Sequence, residues 1–310
     1  MAADTIMNTT EDENDKEKIA ARLHKILGSC SINFLFGAGV NGRAFPFFAQ
    51  FKATITRMNE LGLPGSNIES ALQACKDESK RLTVLNTFID EFNGKKYELE
   101  HPSLLNLRGL LSATHRAVGM AENRHPESKR INIFTLNYDR IVEELLENSG
   151  YFNYVLKRET RAFLPFNVVG YNTETRAFIP TYAIYKLHGS VGADRILKPE
   201  GIVFPGQDKL GSIISDFYET LFAMKGELLR KNAALFVIGY SWSDDHINDV
   251  IDSAIDNGLT VVFPQYSEGG NIPLKHADTV IVIPPAEPNA DGELCDTTKT
   301  LAELFEKAMQ

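Results

Sequence analysis

Four short, largely apolar runs, each ending on glycine or a cluster of small polar residues, constrain this chain more than any other feature. They are Ile32–Phe36 before Gly37-Ala38-Gly39, Ile131–Thr135 before Leu136-Asn137-Tyr138-Asp139, Tyr182–Leu187 before His188-Gly189-Ser190, and Ala234–Ile238 before Gly239-Tyr240-Ser241. Runs of this length bounded by turn residues read as strands buried on both faces. Two more follow at 259–263 and 279–283. Between the runs, apolar residues recur at helical spacing, as in Ile19, Ala20, Leu23, Ile26 and Leu27. Strands alternating with helices imply a parallel sheet covered on both sides. The expected fold class is α/β, a Rossmann-like parallel sheet with a smaller, mainly helical layer or insertion.

That helical part is expected at 46–125, where no run reads as a strand. Leu104, Leu107, Leu110 and Leu111 mark one amphipathic helix there, and Leu82, Leu85, Phe88 and Ile89 another. Further helices are expected over 15–27, after Thr135 through Val142, Leu145 and Leu146, and over 209–230, 244–257 and 297–309. The aromatic-rich stretch 151–180 reads as short strands and loops. Residues 1–16, acidic and with little to bury, read as a mobile tail. Residues 17–285 read as one domain, and 286–310 as a C-terminal segment with its helix.

Composition narrows the partners. At 310 residues, 43% hydrophobic and 24% charged, the chain is an ordinary globular protein that can bury a sizeable core. No stretch approaches the ~18 apolar residues of a membrane span, and the polar, acidic N-terminus is the opposite of a signal peptide. A cytoplasmic protein without a membrane partner is expected. Acidic residues outnumber basic ones 41 to 32, for a net charge of −9. With no basic stripe, direct nucleic-acid binding by this chain is not expected. Three isolated cysteines, Cys30, Cys75 and Cys295, exclude a disulfide framework and a four-cysteine zinc site. Histidine spacing shows no metal motif either. The expectation is no zinc and no other metal.

Each run-end has two readings. Gly37-Ala38-Gly39-Val40 can bring backbone N–H groups against a pyrophosphate, or be a tight strand–helix turn. Pro46 delays the helix that a dinucleotide fingerprint would have next. Asn137 and Asp139 stand where parallel sheets bind ligands, beyond a strand's carboxyl end, or one of them caps the next helix. His188 ends a strand with glycine behind it and is the best single candidate for acid–base chemistry. His101, His115 and His125 read as surface residues and His246 as structural. Ser241 can meet a ribose or phosphate, while Ser243 or Asp244 reads equally well as an N-cap.

In combination, GAGV, TLNYD, KLHGS and IGYS in this order resemble the sirtuin-like superfamily, and more specifically its bacterial, zinc-free branch found in antiphage systems. The resemblance covers about residues 30 to 265. It implies a sirtuin-like NAD-binding catalytic domain that takes NAD as substrate. Gly37, Ala38, Gly39 and Val40 would hold the pyrophosphate, and Asn137 and Asp139 would lie beside the nicotinamide ribose and carboxamide. His188 would be the catalytic histidine, and Gly239 and Ser241 would flank the adenosine ribose. Three departures stand out. No cysteine lies between His188 and Ser241, where deacylating sirtuins carry two CxxC pairs. Asn41 replaces the usual serine, and no arginine follows Phe45-Pro46-Phe47-Phe48. The branch implies hydrolysis of NAD to nicotinamide and ADP-ribose during phage infection, in a homo-oligomer gated by a partner protein or nucleotide signal. A zinc-free deacylase or ADP-ribosyltransferase is the runner-up, and a non-catalytic nucleotide sensor the third reading.

Overall fold

The computed structural model describes residues 13–63, 72, 75–121, 124, 129–149, 153–157, 166–169, 181–192, 194–199, 203, 218–267, 280–288 and 294–310. The strands are β1 (Ser31–Phe36), β2 (Arg130–Thr135), β3 (Asn153–Lys157), β4 (Phe166–Val169), β5 (Thr181–Lys186), β6 (Ala233–Ile238), β7 (Thr260–Pro264) and β8 (Val280–Ile283). They form one sheet in the order β4-β3-β5-β2-β1-β6-β7-β8. All neighbours are parallel except the edge strand β4, antiparallel to β3. The chain runs from β1 out to one side and returns at β6 to the other side of β1. The β1–β6 border is thus a topological switch point, where open α/β sheets form a ligand crevice.

The described helices are α1 (Glu13–Ser29), α2 (Lys52–Glu60), α3 (Glu78–Asn93), α4 (Pro102–Met120), α5 (Ile141–Ser149), α6 (Tyr218–Leu228), α7 (Asp245–Ile255) and α8 (Thr297–Ala308). Alternation along β1 sends Ile32, Phe34 and Phe36 to one face, into a core with α1, α4, α5 and α8. Leu35 goes to the other, with Phe134, Val237 and the apolar sides of α6 and α7. Every residue of β6 is buried, as a central parallel strand covered on both faces requires.

Between Phe48 and Met120 the described elements are helical, as the sequence leads one to expect. The buried side of α3 differs from the leucine stripe, however. Val84, Phe88, Ile89 and Phe92 face inward while Leu82 is 51% exposed. The helix turns its phenylalanines toward Phe48 and Phe51, whose rings lie within 5.0–6.2 Å of them. Aromatic burial outweighs the leucines. Helix α1 starts at Glu13, inside the segment read as tail, and residues 1–12 lie outside the described residues. So do 209–217 of the helix expected over 209–230, which is seen from Tyr218. His101 is the N-cap residue of α4, its Nδ1 accepting from the Ser103 amide at 3.2 Å. His115 is half-buried rather than a surface residue, and His125 is not among the described residues.

Candidate active site

Strand register brings the four run-ends side by side. Phe36 is in register with Thr135 and with Ile238, and Thr135 with Lys186. The segments beginning at Gly37, Leu136, Leu187 and Gly239 therefore leave four adjacent strands at the same edge, in the order β5-β2-β1-β6. Asn137 and His188 each lie two residues beyond one register pair.

The glycines at the switch point have a packing role. The amides of Gly37 and Gly39 donate to the carbonyls of Ile238 and Gly239 at 3.0 Å, and that of Val40 to the Gly37 carbonyl at 3.1 Å. A Cβ on Gly37 would stand 2.4 Å from the Gly239 oxygen, and one on Gly239 2.1 Å from the Val40 nitrogen. Gly239 also has φ +65°, which side chains disfavour. These residues let two backbones touch. Ala38 is half-buried, Gly39 exposed and Val40 buried. In the next loop Trp242 adopts φ +60° with its ring buried between Tyr240 and Phe263. A bulky residue in that region stores strain that surrounding packing must hold. Ser241 is exposed, its Oγ 2.9 Å from that of Ser243.

The Asn137–Asp139 segment is buried and heavily bonded. Asn137 Nδ2 donates to the Gly37 carbonyl at 3.2 Å, tying the end of β2 to that of β1. Asp139 has both carboxylate oxygens engaged: Oδ1 accepts from the Ile141 amide at 3.0 Å, and Oδ2 from Asn41 Nδ2 at 2.9 Å. The capping alternative thus holds for Asp139, which secures the start of α5. Asn41, the departure from serine, is what reaches it. Beneath them Lys186 is 3% exposed and donates to the carbonyls of Asn137 and Asp139. Its Nζ also lies 3.1 Å from the fully buried Glu143 carboxylate. Tyr138 carries the segment into the helical layer, its ring against Phe88 and Phe92. Tyr97 lies close by, its hydroxyl pKa raised by burial and by the Glu144 carboxylate.

His188 is 5% exposed. Its carbonyl accepts from the Val203 amide at 2.9 Å, and Gly189 turns the chain with φ +92°. Its Nε2 lies 3.2 Å from Nε2 of His246, a residue 58 positions away in the first turn of α7. Two neutral rings so placed share one proton, one donating and one accepting. Asp244 joins them: one ligand atom from each of the three residues, a ring nitrogen or a carboxylate oxygen, lies within 4.8 Å of the other two. It occupies the N-cap position of α7, yet its side chain makes no capping bond. Sequence spacing hid this trio: Asp244 and His246 read as helix-start residues, and nothing in the linear order points to a histidine 58 residues upstream.

No helix among the described residues is long and apolar enough to cross a membrane. The three cysteines lie apart, Cys75 buried in the helical layer, Cys30 and Cys295 half-buried. Residues 131–276, just under half of the chain, match the family model of the SIR2-like domain. The matched span takes in the β2, β5 and β6 ends and leaves out the Gly37–Val40 turn. No curated protein matches the sequence. Among solved structures, the chain is similar to a mutant Sir2 homologue in complex with ADP ribose (14% identity, TM-score 0.47, covering 96% of this chain and 97% of that one). It is also similar to a Sir2 enzyme solved for mechanism and regulation (11%, 0.46, 94% and 98%) and to a Sir2–p53 peptide–NAD+ complex (12%, 0.44, 93% and 98%).

Proposed function

We propose that this chain is an NAD hydrolase that cleaves the nicotinamide–ribose bond to give nicotinamide and ADP-ribose. The observation that carries the reading is the placement of Asn137 and His188. They stand two residues beyond one register pair on neighbouring strands, beside the switch-point turn, within the span that matches the SIR2-like domain. NAD is the substrate this arrangement suits. Departure of nicotinamide leaves an electron-poor ribosyl carbon, and water adds there. Its proton passes to His188, whose neutral imidazole can accept it. The Asn137 Nδ2 bond to Gly37 leaves the side-chain Oδ1 as the atom to orient that water or a ribose hydroxyl. Asp139, braced by Asn41 and the Ile141 amide, holds the loop beside the nicotinamide ribose and carboxamide. The Gly37–Val40 turn offers its exposed Gly39 edge to the pyrophosphate, and Gly239 and Ser241 flank the adenosine ribose.

The sirtuin-type zinc site does not fit this chain, since three separated cysteines cannot supply four thiolates. No step is routed through it. The resemblance to the antiphage branch carries the biological reading: an NAD-depleting effector, assembled as a homo-oligomer and held inactive until a partner or nucleotide releases it.

Incubation of the purified chain with NAD, with candidate activators, tests the reading. His188→Ala is expected to lower kcat by at least ~100-fold with NAD binding retained. Asn137→Ala should lower both kcat and affinity, because it also releases the Gly37 carbonyl. Near-parental turnover in His188→Ala would refute the assignment. O-acetyl-ADP-ribose from acetyl-lysine peptides, at a rate matching ADP-ribose, would make the chain a deacylase. Binding without turnover in any condition would make it a sensor.

A further inference from the structure

We propose that His188, Asp244 and His246 form a three-ligand site for a divalent first-row transition metal such as zinc, and that metal bound there shuts off NAD cleavage. The geometry comes first. A tetrahedral zinc with bonds of ~2.0–2.1 Å sets its ligand atoms about 3.3 Å apart, and the two Nε2 atoms stand 3.2 Å apart before any metal is added. One ligand atom from each of the three residues lies within 4.8 Å of the others, a spread that closing of the side chains around an ion would have to bring down to the ~3.3 Å of a tetrahedral set. That carboxylate occupies a helix N-cap position without capping the helix. His188 and Asp244 are buried and His246 half-buried, which gives the ion a desolvated seat with one accessible side. The backbone is fixed from two directions. The Val203 amide holds the His188 carbonyl, and the Tyr240 hydroxyl bonds the Asp244 backbone at 3.1–3.2 Å.

Ligand chemistry sets the class of ion. Two imidazoles and one carboxylate favour zinc, cobalt or nickel over magnesium or calcium, which demand oxygen donors. Three protein ligands leave a fourth position for water. The site is distinct from a four-thiolate structural zinc: it needs no cysteine and lies at the strand ends. Metal on Nε2 of His188 takes the lone pair that would accept a proton. Only this inhibitory consequence rests on the NAD-hydrolase reading; binding does not.

Cobalt titration of the tag-free, chelator-stripped 310-residue chain reads the site directly. Visible absorption typical of tetrahedral cobalt should appear, saturate at about one equivalent, and vanish on adding zinc but not magnesium. His246→Gln and Asp244→Asn should each weaken cobalt binding at least ~10-fold, with unchanged circular dichroism. Absence of the absorption, or its full retention in His246→Gln, would overturn the site. Where NAD is cleaved, zinc inhibition should follow the cobalt-binding curve and need at least ~10-fold more zinc in His246→Gln. Binding without inhibition would overturn the shut-off while the site stands. A parental chain that binds cobalt but never cleaves NAD would overturn the NAD reading, and with it the shut-off, leaving the site intact.

Discussion

Lys186 shows how a single residue ties structure to site. Its ammonium is buried against Glu143 and two backbone carbonyls of the Asn137–Asp139 segment. An ion pair out of water adds little net stability, but removing one partner leaves the other charge uncompensated. Lys186→Met should therefore lower unfolding free energy by about 3–5 kcal/mol in urea titration, through the stranded Glu143. The double variant Lys186→Met/Glu143→Leu should recover most of that loss. Equal destabilisation of both variants would mean that the ammonium acts mainly through the carbonyls. The opposite lesson comes from Asp139, whose sequence position suits substrate contact while its oxygens serve Ile141 and Asn41.

At the scale of elements, α4 is buried along Leu104, Leu107, Leu110, Leu111 and Val118 and carries His115 on the flank of that face. Burial lowers the His115 pKa below its ordinary 6.5. The unfolded chain then binds a proton that the folded chain refuses, so folded stability is complete above pH ~6.5 and declines as pH falls below it. Stability measured from pH 7 to 5 should slope less steeply in His115→Gln than in the parent. An unchanged slope would assign acid sensitivity elsewhere. Helix α3 makes a related point about packing. Its phenylalanines, stacked with Phe48 and Phe51 and touching Tyr138, hold the helical layer against the site loop.

For the whole molecule, topology concentrates stability where the site is anchored. Strands β1, β2 and β6 are paired on both sides and buried in nearly every position, whereas β8 has one described neighbour. Amide exchange should be slowest within 32–36, 131–135 and 233–238, and faster by at least ~10-fold at 280–283. Uniform exchange across the sheet would mean that it opens only as one unit. A rigid centre suits chemistry that needs groups from different strands held to a fraction of an ångström.

The sequence by itself determined the central architecture. Apolar runs too long to expose and too short for helices had to become buried strands, and alternation with helices made those strands parallel. Glycines after β1 and β6 were equally legible, although their reason was not: they let the Gly37 and Gly239 backbones touch, a contact between residues about 200 positions apart. Leu82 looked as buried as Phe88 because helical periodicity marks a stripe without saying which edge of it meets the core. Only the tertiary structure decided that, through the aromatic rings opposite. It also decided that Asp139 would cap a helix and that His246 would meet His188. Local propensity acts over a few residues, whereas those pairings follow from sheet order, which places the end of β5 and the start of α7 at the same edge of the molecule.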